Sequence, residues 1–229
     1  MIAQAIWRLL RAPARGARGA PARDPDVQIL AQRLWWAWVA AAGVLGFGAA
    51  WLQARGLWRQ LVDADPSRIS LAILALALVV TLWCGRRAYG LQRQAAAGSD
   101  WRRAHARTLV RSPEVALALL ADRSHGPHET GWWFASACIK LGLLGTVVGF
   151  IMMAGTIGRM PSFDIGQVQE LLRQMTSGMA VALLTTLAGV AANLWLGLQL
   201  LLLDRVADRI AADILAEGMQ AGGDDGAAA

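Results

Sequence analysis

The sequence is constrained above all by four long stretches that contain no charged side chain. They cover residues 34–54, 69–85, 141–158 and 174–203, and Lys, Arg or Asp stands at each border. Crossing the hydrocarbon core of a bilayer takes about 20 apolar residues in a helix, and a soluble helix of such length would carry charges on one face. We therefore predict an all-α, polytopic membrane protein with four transmembrane helices.

The composition agrees with lipid as the solvent. Hydrophobic residues make up 56% of the chain and 11 residues are tryptophan, which is unlike a soluble domain. The net charge of +6 comes from arginines that stand beside the apolar stretches, which favours topology signals over nucleic-acid binding. Cys84 and Cys138 follow neither a disulfide nor a zinc pattern, so we expect two free thiols, no metal and no cofactor.

The basic residues also orient the chain, because Lys and Arg concentrate on the cytoplasmic side of membrane proteins. Segments 1–33 and 86–130 hold six and eight arginines and the tail 204–229 holds two, against three in 54–68 and two in 158–177. Tryptophans near the ends of the stretches mark the same two interfaces, since their rings prefer the headgroup level. Both termini are therefore predicted to be cytoplasmic.

This topology divides the chain into five segments. They are a basic cytoplasmic arm (1–33), a transmembrane hairpin (34–85), a cytoplasmic helical insert (86–130), transmembrane helices three and four with an outer surface helix (131–203, the surface helix at about 164–176), and a cytoplasmic helix extension with a disordered tail (204–229). Helices three and four are predicted to be long and to extend into the cytoplasm.

Two signals subdivide the insert. Ser112 before Pro113 is typical of a helix start, with serine as the cap and proline at the first helical position. The segment SHGPHE at 124–129 contains glycine and proline and is predicted to break the chain. We interpret its His125 and His128 as solvated side chains and not as metal ligands.

Helices three and four each carry a stripe of small residues. At 100° per residue, one narrow face of helix three holds Gly142, Thr146, Gly149, Met153 and Thr156, with Gly145 at its edge. A face of helix four holds Gly178, Ala182, Thr185, Gly189 and Ala192, with Thr186 and Asn193 along its edge. Lipid gives helices no hydrophobic reason to associate, so such glycines are typical of close helix packing.

The four stretches contain no Asp, Glu or His. A proton relay or cation site inside a bilayer requires an ionisable side chain, so this chain by itself has neither. If ions cross here, another chain supplies the carboxylate. Lys140, at the start of the third stretch, is expected to snorkel or to meet cytoplasmic acids; a place at a cytoplasmic ion entrance is the alternative.

The sequences LGLLGTVVGF at 141–150 and GMAVALLTTLAGVAANL at 178–194 together resemble the MotA/TolQ/ExbB proton-channel family. That family has a GLLGT-type third helix and an A-L-x-x-T-x-x-G fourth helix, and the likeness covers about 131–215. The resemblance implies a homopentamer in the bacterial inner membrane. It also implies a single-span partner of the ExbD, TolR or MotB kind, usually in two copies, whose aspartate carries the proton.

Through this resemblance the family's pore-facing threonines correspond to Thr146 and Thr186, with Thr185 as a neighbour to test in parallel and Asn193 in the same pore-lining set. The implied function is a proton channel subunit that couples ion flow to mechanical work on the envelope, such as energised transport of the TolQ/ExbB kind. The alternatives are a MotA-like motility stator subunit and a structural oligomer without ion conduction. An enzyme is not expected, because no nucleophile–base pair or metal cluster stands at a sensible spacing.

The sequence departs from each branch of the family. Four spans with inward termini resemble the MotA branch, yet an insert of about 45 residues is short for a motor-contacting domain. Three-span relatives usually carry an alanine-proline pair on the last span, and GVAANLWLGLQ has no proline. The branch, the choice of proton or sodium, and the process energised therefore stay open.

Overall fold

The computed structural model describes residues 25–56, 65–96, 98–157 and 165–227. Within these ranges the chain is all-helical and has no strand. Its helices are α1 (Pro25–Ala54), α2 (Ile69–Gln94), α3 (Asp100–Leu109), α4 (Pro113–Ile157) and α5 (Ile165–Ala227). All of them except α3 are long and apolar enough to cross a membrane, which confirms the predicted fold class. Residues 1–24 of the predicted basic arm lie outside the described ranges.

The chain divides into two compact units. The first, here called the insert unit, comprises residues 1–41, 84–130 and 200–229, and the second, the span unit, comprises 42–83 and 131–199. The four long helices each contribute residues to both units.

The predicted helix start at Pro113 is confirmed, since α4 begins there and the N–H of Ala116 donates to the carbonyl of Ser112 at 3.1 Å. The Ser112 hydroxyl itself donates to the Arg111 carbonyl at 2.7 Å and does not accept from the helix. The residue type thus marked the right position, but the side chain does not make the expected capping bond.

The predicted break at 124–129 is wrong, because α4 continues through this segment with Pro127 inside the helix. Proline has no N–H, so the carbonyl of Arg123, four residues earlier, loses its usual helical donor. Nη2 of Arg87, from α2, donates to that carbonyl at 2.9 Å. A side chain from another helix therefore replaces the missing bond, and the sequence around Pro127 contains no sign of it.

Helices α4 and α5 have 45 and 63 residues, in agreement with the prediction that helices three and four are long. Residues 165–176 form the first turns of α5 and continue into the fourth stretch without a break. They are therefore part of one long helix and not the separate surface helix expected at about 164–176. Helix α5 also continues to Ala227, through the tail that was expected to be disordered.

The insert unit packs an aromatic layer between α1 and α2. Trp35 stacks on Trp38 with ring centroids 5.8 Å apart, and its ring also meets Tyr89 at 5.3 Å. A Cβ at Gly85 would overlap the Trp38 ring, so the Trp38 indole can pack against α2 only because residue 85 has no side chain. Trp35 and Trp38 are among the tryptophans predicted to mark a membrane interface.

In the span unit, Asp65 fixes the start of α2. Its carboxylate accepts from the backbone N–H of Ser70 at 2.8 Å and of Ser67 at 3.1 Å, as a capping residue does. Burial raises the pKa of Asp65, but the hydrogen bonds from Ser67 and Ser70 outweigh burial, so the pKa is lowered. The carboxylate is therefore held in its charged form, which is the form that caps.

Candidate functional site

The span unit is built around a close antiparallel contact between α4 and α5. A Cβ at Gly149 would lie 2.7 Å from the carbonyl oxygen of Gly178, and a Cβ at Gly189 would lie 2.7 Å from that of Cys138. These distances are too short for any side chain, so the two backbones touch directly. The glycines predicted for helix packing all lie in this contact: Gly142, Gly145, Gly149, Gly178 and Gly189.

Thr185 lies in the middle of the same contact. It is fully buried, and its side chain fills the space in which a Cβ of Gly145 would stand. Its hydroxyl donates to the carbonyl of Val181 at 2.9 Å, within α5. In the single chain Thr185 is therefore a packing residue between α4 and α5.

Thr146 and Thr186 are half-buried and flank the contact. The Thr146 hydroxyl donates to the carbonyl of Leu143 at 2.6 Å, and the Thr186 hydroxyl donates to that of Ala182 at 2.9 Å. Each donation satisfies the hydroxyl proton and leaves the oxygen lone pairs to accept from water or from a protonated carboxyl. Both side chains can thus take part in a polar path without an unsatisfied donor.

The two half-buried threonines lie on the same side of the helix pair. Thr146 directly follows Gly145, Thr186 directly follows Thr185, and Gly145 and Thr185 face each other in the contact. In two antiparallel helices that face each other, the same rotation along each chain leads to the same side. The small-residue stripes therefore bring the two hydroxyls to one flank of the contact.

Helix α2 covers the opposite flank of the pair. The Thr81 hydroxyl accepts from Nε1 of Trp195 at 3.1 Å and from Nε2 of Gln199 at 3.2 Å, which ties α2 to α5. Sequence analysis did not single out Thr81, although a lone threonine in an apolar stretch is itself a sign of hydrogen bonding between helices. Trp195 is nine positions after Thr186, which corresponds to half a turn of rotation on α5, so this contact with α2 lies on the side opposite Thr186.

The surface of α5 beyond Thr186 is apolar and uncovered in the single chain. Leu183, Leu187 and Leu194 expose 70%, 68% and 69% of their areas. An apolar surface of this extent needs lipid or further protein chains as its neighbour. It is continuous along the helix that carries Thr186.

The remaining predicted site residues have different surroundings. Nδ2 of Asn193 donates to the carbonyl of Ala135 at 2.8 Å, so this amide joins α5 to α4. Lys140 is exposed on α4, which fits both of the roles considered for it. Among the described residues, no group of three or more His, Cys, Asp and Glu side chains has the arrangement of a metal site.

The glycine contact provides a matched stability test on one helix. Gly149→Ala places a methyl group 2.7 Å from the Gly178 carbonyl, whereas a Cβ at Gly155 meets no atom within 4 Å. We expect Gly149→Ala to lower the free energy of unfolding by about 1–3 kcal/mol through overpacking. Gly155→Ala should cost nothing, since alanine is the better helix former.

The measurement is unfolding of the purified chain in mixed micelles as the fraction of denaturing detergent is raised. Equal midpoints for Gly149→Ala and Gly155→Ala would contradict the close approach of α4 and α5.

The model of the MotA/TolQ/ExbB proton channel family matches residues 102–215, which include the whole contact between α4 and α5 and both half-buried threonines. No curated protein and no solved structure matches the chain.

Proposed function

Since the chain belongs to the MotA/TolQ/ExbB proton channel family, we propose that it is a proton channel subunit of the bacterial inner membrane that couples ion flow to mechanical work on the envelope. Its four long apolar helices agree with a multi-pass membrane protein of this family. The observation that carries the proposal is the pair Thr146 and Thr186, half-buried on one flank of the glycine contact.

The chemistry of this flank is that of one side of a proton path. A proton moves along groups that can accept and donate hydrogen bonds, and the two hydroxyl oxygens are such groups. A path through a bilayer also needs a group that binds the proton, and the four apolar stretches contain no Asp, Glu or His. The proton carrier therefore belongs to another chain.

A single-span helix with an aspartate is the partner that fits these features. Its carboxyl would meet Thr146 and Thr186, and the apolar surface of α5 around Leu183 and Leu187 would face neighbouring copies or the partner. An aspartate among small residues and hydroxyls is neutral when it carries a proton and can then move past the apolar surface. We propose five copies of this chain around two partner helices.

The test is reconstitution of the full chain with a single-span, aspartate-bearing protein of the kind that the proposal requires. Native mass measurement should give five copies of this chain with two of the partner. Proteoliposomes with a membrane potential should take up protons only when both proteins are present, and Asp→Asn in the partner should abolish uptake while the complex keeps its mass.

A complex of unchanged mass that carries no proton current under any membrane potential would favour the structural oligomer. Uptake by this chain alone would contradict the assignment of the proton carrier to a partner.

A further inference from the structure

A buried histidine in the insert unit is surrounded by charged groups. His128 of α4 is 1% exposed. Its Nε2 accepts from Nε of Arg87, on α2, at 3.3 Å, and its Nδ1 lies 2.6 Å from Oδ1 of Asp204, on α5. Three helices thus meet at one imidazole ring, which sequence analysis interpreted as a solvated side chain.

The hydrogen bond from Arg87 fixes the tautomer of the ring. Arg87 has only donors, so Nε2 must carry a lone pair. A neutral imidazole carries one N–H, so with Nε2 accepting, the hydrogen is on Nδ1, which lies 2.6 Å from Oδ1 of Asp204 but is not aligned for a hydrogen bond to it. His128 is therefore a neutral imidazole in one tautomer, and a second proton has only Nε2 as its site.

The guanidinium of Arg87 makes two hydrogen bonds beside His128. While its Nε donates to His128, its Nη2 donates at 2.9 Å to the Arg123 carbonyl that Pro127 leaves without a helical partner. One guanidinium therefore donates both to Nε2 of His128 and to the Arg123 carbonyl of α4. Any event that removes Arg87 from the ring also disturbs its bond to the helix.

Solvent reaches Arg87 through a cleft of about 1060 Å³ in the insert unit. Arg87, Pro127 and Trp101 are among its lining residues, and the guanidinium of Arg87 lies 5.9 Å from the Trp101 ring of α3. His128 does not line the cleft, so Arg87 is the group between its Nε2 and this solvent.

The other titratable groups nearby leave His128 as the proton acceptor. Asp204 faces it from α5, and Cys84 of α2 lies within electrostatic range of Asp204. Further along α4, His125 is half exposed and pairs with Asp208 at 2.7 Å, which forms a separate contact. From α3 the uncharged indole of Trp101 is adjacent, and the same cleft is lined by Asp100, Arg103 and Arg107 of α3 and by Asp122, Arg123 and Glu129 of α4. Of these residue types and histidine, only histidine ordinarily changes charge between pH 5 and pH 8.

We propose that His128 is a proton-binding latch of α4. A proton that arrives from the cleft forms an N–H bond at Nε2, and the hydrogen bond from Arg87 breaks. The resulting imidazolium stays beside the carboxylate of Asp204, whose Oδ1 lies 2.6 Å from Nδ1, while its positive charge repels the guanidinium. Arg87 then leaves the Arg123 carbonyl as well, and α4 loosens at Pro127.

The latch deepens the proposed function by linking proton arrival to a change in a channel helix, and only this link rests on that function. Helix α4 carries both His128 and Thr146, and α5 carries both Asp204 and Thr186. In each helix the two residues are 18 positions apart, which is five whole helical turns. Proton binding and the loosening of α4 are properties of the insert unit itself.

The test is amide hydrogen exchange of the full chain in lipid nanodiscs between pH 8 and pH 5.5, the range in which histidine changes charge. After correction for the intrinsic pH dependence, amides of residues 124–131 should exchange about tenfold faster at pH 5.5, as expected for the loss of one hydrogen bond from a charged donor. Amides elsewhere in α4 should keep their rates.

Three variants separate the latch from general destabilisation. His128→Asn cannot be protonated and should give a flat pH profile, and Arg87→Met should give fast exchange of 124–131 at every pH. His125→Asn, the matched control three residues earlier in α4, should keep the pH response of the natural chain. A flat profile in the natural chain, a pH response in His128→Asn, or its loss in His125→Asn would each overturn the latch.

Arg87→Met keeps the test decisive even where His128→Asn does not fold. Proton uptake is measured separately, so a pH response without proton current would count against the proposed function and leave the latch in place. Proton current without a pH response in residues 124–131 would count against the latch and leave the proposed function in place.

Discussion

Thr146→Val and Thr186→Val should each reduce proton uptake by the reconstituted complex to about a tenth or less, with its assembly unchanged. Valine keeps the branched shape of threonine and loses only the hydroxyl oxygen. A lost hydrogen bond to a charged group costs about 1.5–3 kcal/mol, or roughly a tenfold or larger change in rate if the bond is made as the proton passes. Both side chains are half-buried beside the glycine contact, so the change leaves that contact intact.

The matched control is Thr176→Val, on the same helix as Thr186. Thr176 is exposed, and its hydroxyl donates to the Leu172 carbonyl at 2.7 Å, the same bond that Thr186 makes within α5. This variant should conduct normally. Thr185→Val should affect stability before conduction, because Thr185 is fully buried against Gly145.

The measurement combines proton uptake under a membrane potential with native mass of the same preparation. Normal uptake in both Thr146→Val and Thr186→Val would refute the pore assignment. Loss of the complex in these variants but not in Thr176→Val would assign the two threonines to packing instead.

The sequence predicted the elements of this fold that depend on local pattern. The uncharged stretches were long enough to predict the four long helices, and Pro113 predicted the start of α4. The continuation of α4 through Pro127 depends on Arg87, whose bond to the Arg123 carbonyl joins residues 36 positions apart. The break was predicted from the glycine and proline of the segment itself, and such local signals give no information about a bond from a distant residue.

The candidate site was predictable to the level of a helix face. Helical spacing identified Gly142, Gly149 and Gly189, because glycines on one face are the condition for close contact in lipid. Spacing alone could not distinguish the buried Thr185 from the half-buried Thr186, since adjacent residues differ only by 100° of rotation. That distinction needs the actual axis of contact between α4 and α5.

The polar contacts of the insert unit were the least predictable part. The bond between Arg102 and Asp213 joins residues 111 positions apart, and both stand in helices with several other charges of the same kind. The apolar residues of this part of α5, Val206, Ile210 and Ile214, follow helical spacing and are buried in the structure. Charged residues near a membrane suggested topology signals, and one of these arginines, Arg102, is buried in the insert unit.

Arg102 fixes α3 to α5 through two carboxylates. Its Nη2 donates to Oδ2 of Asp213 at 2.5 Å, and its Nη1 forms an ion pair with Glu217. The side chain of Arg102 is 9% exposed and that of Asp213 is 7% exposed, so water screens this pair little. Burial lowers the pKa of Arg102, but the hydrogen bonds and charges of Asp213 and Glu217 outweigh it, so the pKa is raised.

Arg102→Ala should lower the free energy of unfolding by about 3–5 kcal/mol, because it removes the guanidinium that lies against the buried Asp213 carboxylate and pairs with Glu217. Arg103→Ala is the matched control, since Arg103 pairs at 2.7 Å with Asp100 on the exposed face of α3 and such pairs contribute at most about 0.5 kcal/mol. Denaturant unfolding and amide exchange of α3 should show a large loss for Arg102→Ala and almost none for Arg103→Ala. Equal, small losses would mean that α3 is held by its apolar side chains, such as Trp101, and that the buried charges contribute little beyond their own desolvation.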